Sequence, residues 1–384
     1  MKRIVRLFCI LLILALLFSL CACGPASGRQ DPSPSPTGSE APSKKPEKEE
    51  PPEPKVIPLR DGVKIGELAY GRELYKYLGK EVSRLYYYYI PSTYREGERL
   101  PLMFSLHGSG SSATVNLLET NWIKYAEQER FIVVFPESVY IHKDGTLSSE
   151  GKSYLETKQS DYNYMRWNAA STDPVAGYGV NDVKYISDLI DIFVSEGYAD
   201  PSRVYSSGMS HGGFLSLRLA LEIPEKIAGV GIVCAELVAE YLYKKLPQGP
   251  KVVFINGTED TVVPFGGMVY DFDNDGEFEY TWAVSQEKSA LWFLDQYGIV
   301  TEPIFSELPD ADPHDGTTIS RYDYRDENGV SKVVRYVVAG GGHTWPGGNI
   351  DYGIFGRSSK DVQGAELIWN ELKDVVNSMM GPKT

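Results

Sequence analysis

The sequence predicts an α/β fold with a mostly parallel central sheet and helices on both of its faces. Short apolar segments of strand length alternate with longer segments of helical spacing throughout residues 59–384, an order typical of this class. Runs such as 102–106 and 131–135 are rich in apolar residues, as expected for strands that are buried on both faces. The chain has 384 residues, 42% of them hydrophobic. That is enough for one large domain over residues 59–384.

Each element is predicted from its own pattern. Segments of four to six residues that contain β-branched, aromatic and other apolar side chains predict strands, at 85–90, 102–106, 131–135, 203–206, 230–234, 252–255 and 333–338. Apolar residues three or four apart, on one face, predict helices, at 182–194, 211–222, 285–297 and 361–379. Ser285 is the predicted N-cap of the third helix.

The N-terminal residues are typical of an export signal. Basic residues precede an apolar run of 14 residues, 7–20, which has the length of a signal-peptide core and is short for a membrane span. The sequence Leu20-Cys21-Ala22-Cys23 resembles a bacterial lipoprotein signal. This resemblance implies removal of residues 1–22 and lipidation of Cys23. An ordinary signal peptide with an incidental cysteine is the alternative.

Residues 23–58 are predicted to be the lipidated cysteine and a disordered tether. Positions 24–58 contain ten prolines among serine, lysine and glutamate, and such a segment cannot bury a core. We therefore expect a domain held by a lipid anchor at the extracellular face of the cell membrane, with no other membrane contact.

The net charge and the cysteine content argue against a nucleic-acid-binding protein and against a disulfide-rich protein. The formal net charge is −14, which argues against a nucleic-acid partner because phosphate binding needs a basic face. Three of the four cysteines lie within the first 23 residues, so no disulfide framework is expected. The fourth, Cys234, ends an apolar strand and is predicted to be a small buried residue.

The sequence Gly208-Met209-Ser210-His211-Gly212 predicts a nucleophile. It follows a predicted strand and opens a predicted helix, and a serine in this context lies on a sharp turn that exposes its hydroxyl. Flanking glycines avoid the clashes that a Cβ would cause. We therefore predict that Ser210 is catalytic; an idle serine in a glycine-rich turn is the alternative.

A serine nucleophile needs a base and an acid that orients it. Among five histidines, His343 follows the 333–338 strand within a glycine-rich loop and is the predicted base. Asp260 follows the 252–255 strand and is the predicted acid, with its neighbour Glu259 as the alternative. The resulting chain order is Ser, Asp, His, the order of α/β-hydrolases.

The predicted oxyanion donors are backbone groups. His107-Gly108-Ser109-Gly110 follows the 102–106 strand, and a loop in this position supplies an N–H to a developing oxyanion. The N–H groups of Ser109 and His211 are therefore predicted to be the two donors, and the His107 side chain is predicted to hold the loop.

Taken together, these motifs resemble the polyhydroxybutyrate depolymerase and feruloyl esterase group of α/β-hydrolases, related to acetylxylan-type carbohydrate esterases. The resemblance covers roughly residues 80–350 and implies the α/β-hydrolase fold in a single domain, with the nucleophile, acid and base on Ser210, Asp260 and His343. It rests on the motifs above together with Leu308-Pro309-Asp310, Asp315-Gly316-Thr317 and Gly341-Gly342-His343-Thr344-Trp345-Pro346-Gly347.

An acidic insert lies outside the triad. Asp271, Asp273 and Asp275 alternate before Gly276, as in calcium loops, but Trp282 stands where such a loop has a bidentate glutamate. A structural calcium site and a solvated acidic turn are the two interpretations. No cofactor is expected for catalysis, because the triad chemistry needs none.

The expected activity is that of a secreted serine esterase. Its predicted substrates are feruloyl or acetyl esters of plant-type polysaccharide or oligosaccharide, with Trp345 and Trp167 offering aromatic faces. A hydroxyalkanoate ester depolymerase is the first alternative, and a serine peptidase uses the same triad. A non-catalytic substrate-binding lipoprotein is the alternative of another class.

Overall fold

The computed structural model describes residues 63–149, 162–246, 248–270, 280–350 and 352–379. They lie in one compact unit, Pro58–Thr384. The predicted signal and tether, and the acidic insert at 271–279, fall outside the described residues. Among the helices that the model describes, none has both the length and the apolar character to cross a bilayer.

A ten-stranded sheet forms the centre of the unit, in the order β1-β2-β4-β3-β8-β9-β10-β15-β14-β13. Its strands are β1 (Leu68–Tyr77), β2 (Lys80–Tyr89), β3 (Leu100–Leu106), β4 (Ile132–Pro136), β8 (Ala199–Met209), β9 (Gly229–Val233), β10 (Lys251–Gly257), β13 (Ile304–Glu307), β14 (Thr318–Arg325) and β15 (Ser331–Ala339). The six strands from β4 to β15 in this order pair in parallel. The strands outside them pair antiparallel.

Two smaller sheets accompany the central one. The first contains β5 (Val139–His142), β6 (Leu147–Ser148) and β7 (Tyr162–Arg166), and the second contains β11 (Met268–Tyr270) and β12 (Tyr280–Ala283). The α-helices within the described residues are α1 (Ala113–Glu119), α2 (Trp122–Glu129), α3 (Asp182–Ser195), α4 (His211–Glu222), α5 (Gln286–Tyr297) and α6 (Gly364–Leu372).

Helices cover both faces of the central sheet. Leu102 and Phe104 of β3 belong to the apolar cluster that contains α3, α4 and α5 side chains. Met103, between them, belongs to the cluster that contains α2 and α6 side chains. Successive strand residues point to opposite faces, so a continuous apolar run such as β3 supplies both cores. The predicted α/β-hydrolase fold is confirmed by this layered architecture.

Every predicted strand and helix is present within a few residues, with one clear error in length. The last helix was predicted over 361–379, but α6 ends at Leu372. Beyond it the backbone turns, and Asn377 donates side-chain hydrogen bonds to the Pro224 and Ile227 carbonyls. Ser285 is the N-cap of α5, and its Oγ accepts from the Lys288 N–H.

Glu119, the last residue of α1, is a buried carboxyl with a measurable consequence. It is 8% exposed, and burial raises its pKa to about 7 from 4.5. The folded state therefore binds more protons than the unfolded state between these values, so stability falls as pH rises from about 4.5 through 7.

Glu119→Gln is expected to leave stability unchanged near pH 5 and to raise it above pH 7. Removing the cost of keeping this carboxyl protonated should add on the order of 3 kcal/mol. Urea unfolding of both proteins at pH 5 and pH 8 measures the effect. The exposed Glu287 on α5, changed to Gln, is the control; an equal change for both variants, or none at pH 8, would contradict the assignment.

Candidate active site

Ser210 lies on a sharp turn between β8 and α4. The strand ends at Met209 and the helix begins at His211, as the motif predicts. Ser210 has φ 55° and ψ −122°, a conformation that costs a non-glycine residue about 1–3 kcal/mol. The turn also packs closely, since a Cβ on Gly212 would lie 2.1 Å from the Leu106 carbonyl oxygen. The turn therefore requires glycine at position 212 and holds Ser210 in a strained backbone conformation.

His343 and Asp260 form a direct contact. His343 Nδ1 lies 2.7 Å from Asp260 Oδ2, and both residues are almost fully buried. The other carboxylate oxygen of Asp260 accepts from the N–H groups of Val262 and Val263, each at 2.8 Å. These bonds fix the carboxylate, which in turn holds the imidazole with its proton on Nδ1. That tautomer leaves Nε2 unprotonated and able to accept a proton.

The alternative acid, Glu259, is excluded by its position. Its side chain is 61% exposed and pairs with Arg357 at 2.9 Å. The backbone turn that follows β10 therefore sends the two neighbouring acidic side chains in different directions, and only Asp260 reaches the histidine.

Sheet topology places the three predicted residues at one edge. Ser210 follows β8, Asp260 follows β10 and His343 follows β15, and these strands run parallel with β9 between the first two. The carboxyl ends of parallel strands meet at the same edge of a sheet, where open α/β sheets bind their ligands.

The predicted oxyanion loop lies against the nucleophile. A Cβ on Gly108 would lie 3.5 Å from Ser210 Cβ. The loop is fixed by a hydrogen bond from the Gly110 N–H to the Met165 carbonyl at 2.7 Å. His211 is the first residue of α4, so its N–H has no acceptor within the helix. The Ser109 and His211 N–H groups stay predictions as oxyanion donors, on a loop and a helix start that adjoin Ser210.

Buried side chains hold the loop from behind. His107 Nδ1 lies 2.8 Å from the Gly108 carbonyl oxygen, and Nε2 lies 3.0 Å from Glu137 Oε1. Trp167 Nε1 donates to the His107 carbonyl at 2.8 Å. His107 thus supports the loop, as predicted, and Glu137 and Trp167 join it in that task.

The two tryptophans predicted to contact substrate are buried. Trp167 is 0% exposed and Trp345 is 3% exposed. Trp167 packs on the His107 ring with centroids 4.9 Å apart, whereas Trp345 lies in the apolar cluster beside α6. The prediction that their rings offer open faces is wrong, because each ring fills the interior behind an active-site loop.

The His211 side chain belongs to a pair that the sequence did not reveal. Its Nε2 lies 2.9 Å from Asp173 Oδ2, and burial lowers the pKa of His211. The ring is therefore neutral at pH 7 and is directed toward Asp173. Asp173 Oδ1 accepts from the Val175 N–H at 3.0 Å, which holds the carboxylate in place. The close approach of Asp173 to His211 links the start of α4 to the segment before α3.

A buried ion pair anchors this same segment. Arg84 Nη2 donates to Asp182 Oδ1 at 2.8 Å, and both side chains are 0% exposed. Arg84 also donates to the Tyr77 hydroxyl and the Glu137 carbonyl, each at 2.9 Å. Asp182 Oδ2 accepts from the Asn168 N–H at 2.5 Å. The pair therefore links β2, α3 and the segment that carries Trp167.

The possible metal residues of the insert are not placed. Asp271, Asp273 and Asp275 lie outside the described residues, so the calcium interpretation stays an expectation. Cys234 is 1% exposed, as predicted for a small buried residue.

No family model matches the chain. The chain is 31% identical over 191 residues to a putative esterase, NocK, of Nocardia uniformis subsp. tsuyamanensis, covering 48% of this chain and 55% of that protein. It is 26% identical over 165 residues to a bifunctional acetylxylan esterase/xylanase, XynS20E, of Neocallimastix patriciarum, covering 43% of this chain and 20% of that protein. The chain thus spans little more than half of the first relative and a fifth of the second.

Among solved structures, the acetyl xylan esterase from Aspergillus awamori matches 68% of this chain and 89% of its own, at 13% identity and a TM-score of 0.43. Further curated relatives include an acetylxylan esterase and two polyhydroxyalkanoate depolymerases. The resemblance inferred from the motifs is confirmed by the curated relatives, which are esterases, acetylxylan esterases and polyhydroxyalkanoate depolymerases.

Proposed function

We propose that the chain is a serine carboxylic-ester hydrolase that acts through an acyl-enzyme. The observation that carries the proposal is the buried His343–Asp260 contact of 2.7 Å at the sheet edge where Ser210 occupies its strained elbow. A hydrogen-bonded acid and base at the same sheet edge as a serine on a strand-to-helix turn is the arrangement that activates a hydroxyl. The curated relatives named as esterases support it.

The proposed reaction has two steps. His343 Nε2 accepts the Ser210 proton as Oγ attacks the ester carbonyl, and Asp260 stabilises the resulting imidazolium. The Ser109 and His211 N–H groups stabilise the oxyanion. The imidazolium then protonates the leaving alcohol. Water activated by the same histidine hydrolyses the acyl-enzyme and restores Ser210.

We propose acetyl or feruloyl esters of plant-type oligosaccharide or polysaccharide as substrates. Two relatives are named for acetylxylan, which supports this class. The net charge of −14 disfavours strongly anionic, uronate-rich chains. A hydroxyalkanoate ester is the second candidate, favoured by the two depolymerase relatives.

The proposed location is the extracellular face of the cell membrane, where Cys23 is lipidated. Its support is the N-terminal sequence: the apolar run at 7–20, which leads into Leu20-Cys21-Ala22-Cys23, and the proline-rich residues that follow. A lipidated enzyme stays within one tether length of the cell, which favours soluble esters that diffuse to it over a distant solid polymer.

A substrate comparison tests this proposal. We expect kcat/KM to be higher on methyl ferulate or acetylated xylo-oligosaccharide than on soluble hydroxybutyrate oligomers. A preference for the hydroxybutyrate oligomers would mean that the natural substrate is a hydroxyalkanoate ester, while the proposed acyl-enzyme mechanism would still hold. Cleavage of peptide amides alone would favour a peptidase, and binding of oligosaccharide without turnover of any ester would favour a non-catalytic binding protein.

A further inference from the structure

A thiol lies beside the acid and base of the proposed triad. Cys234, Asp260 and His343 each offer one metal-ligating atom, and these three atoms lie within 4.8 Å of one another. We propose that the three side chains form a site for a thiophilic divalent cation such as Zn²⁺ or Cd²⁺, and that the bound cation blocks the base. The inhibitory part of this inference rests on the proposed function; the binding part does not.

The donor set suits a thiophilic cation. One sulfur, one imidazole nitrogen and one carboxylate oxygen are ligands that Zn²⁺ accepts in tetrahedral sites, at about 2.0–2.3 Å. Hard cations such as Mg²⁺ and Ca²⁺ prefer oxygen ligands and do not favour this set. Ligand atoms around one tetrahedral ion lie about 3.3–3.8 Å apart. His343 Nδ1 and Asp260 Oδ2, which are 2.7 Å apart, must therefore separate, and the thiol must approach them, by shifts of about 1 Å or less.

The surroundings of the thiol add further donors. Cys234 Sγ lies 3.5 Å from the Thr344 carbonyl oxygen and 3.8 Å from that of Gly342. The Thr344 carbonyl oxygen, the nearer of the two to the thiol, is the proposed candidate for the fourth position of a tetrahedral ion.

Charge and protons balance on binding. The cation replaces the thiol proton of Cys234, which is released to solvent. The imidazole proton moves from Nδ1 to Nε2 as Nδ1 becomes a ligand, so one proton is released for each ion bound. The thiolate and the Asp260 carboxylate then neutralise the two positive charges within the buried site.

Metal at Nδ1 would disable the proposed base. With its proton on Nε2, His343 donates a hydrogen bond and cannot accept the Ser210 proton. Inhibition therefore follows from a change of tautomer, with Ser210 itself untouched.

Binding is tested without turnover, on the full-length Ser210→Ala protein. Cd²⁺ titration should produce a thiolate-to-metal charge-transfer band that exceeds the band of the Ser210→Ala/Cys234→Ser protein by one thiolate per chain. The second protein keeps Cys9, Cys21 and Cys23, so the difference isolates Cys234. Mg²⁺ and Ca²⁺ should give no band and should not compete. A Cys234→Ala version repeats the comparison if the serine variant is unstable. Equal bands in the matched proteins would overturn the site.

Inhibition is tested on the active protein with Zn²⁺. Half-inhibition should need at least tenfold more Zn²⁺ in Cys234→Ser than in the wild type, with each rate divided by that protein's own metal-free rate. Equal Zn²⁺ sensitivity would overturn the inhibitory role. A Cys234-dependent Cd²⁺ band in a protein that hydrolyses no ester would instead refute the proposed function and leave the metal site standing.

Discussion

Replacing Ser210 with alanine is expected to reduce ester hydrolysis by at least about 10⁴-fold, since loss of a serine nucleophile removes nearly all triad catalysis. The thermal transition should stay within a few degrees of the wild type. Alanine keeps a Cβ at φ 55°, so the backbone strain at the elbow is unchanged. Initial rates on p-nitrophenyl acetate, with thermal unfolding of both proteins, measure the two effects.

The control is an exposed serine far along the chain from the elbow, Ser92, changed to alanine; its rate should match the wild type. A folded Ser210→Ala protein with near-normal turnover would remove the proposed mechanism. Loss of activity with a strongly lowered melting temperature would instead assign Ser210 a structural role.

The second large effect is on stability. Asp182→Asn is expected to lower the free energy of unfolding by about 3–5 kcal/mol, because it leaves the buried Arg84 charge without its carboxylate. Both side chains of this pair are 0% exposed, so solvent cannot compensate for the lost partner. Urea unfolding at neutral pH measures the difference.

Asp191 on the same helix provides the matched control. It pairs with Lys226 at 2.6 Å, but its side chain is 55% exposed, and exposed pairs contribute about 0–1 kcal/mol. Asp191→Asn should therefore change stability by less than about 1 kcal/mol. Similar losses for the two variants would mean that the Arg84 pair is not a major source of stability.

The parallel strands and the elbow could be predicted because their signals are local. β3, β4 and β10 are buried along their whole length, and a short continuous apolar run between turn residues is typical of a buried strand. The acid and the base could also be predicted from the sequence, because each follows such a strand and the carboxyl ends of parallel strands meet at one edge of the sheet. The choice between Asp260 and Glu259 stayed open in the sequence, because the geometry of the turn after β10 decides which side chain reaches the histidine.

Other features depend on contacts that the sequence does not encode locally. β1 was missed because its residues alternate between exposed and half-buried positions, which gives a weak apolar signal. The Asp173–His211 contact joins residues 38 positions apart on different elements. Trp167 and Trp345 were misassigned for a related reason: a tryptophan beside a glycine-rich loop can face either substrate or core, and only the packing behind the loop decides.

The separation of the triad along the chain has a consequence for folding. Asp260 and His343 are 83 residues apart, and Ser210 precedes both, so the site cannot form within any local segment. β8, β9, β10 and β15 must all pair before the serine, the acid and the histidine come together at one edge of the sheet, and closing such long loops is entropically costly. Recovery of ester hydrolysis during refolding should therefore trail the recovery of helical signal. Turnover would then report completion of the sheet rather than collapse of the chain.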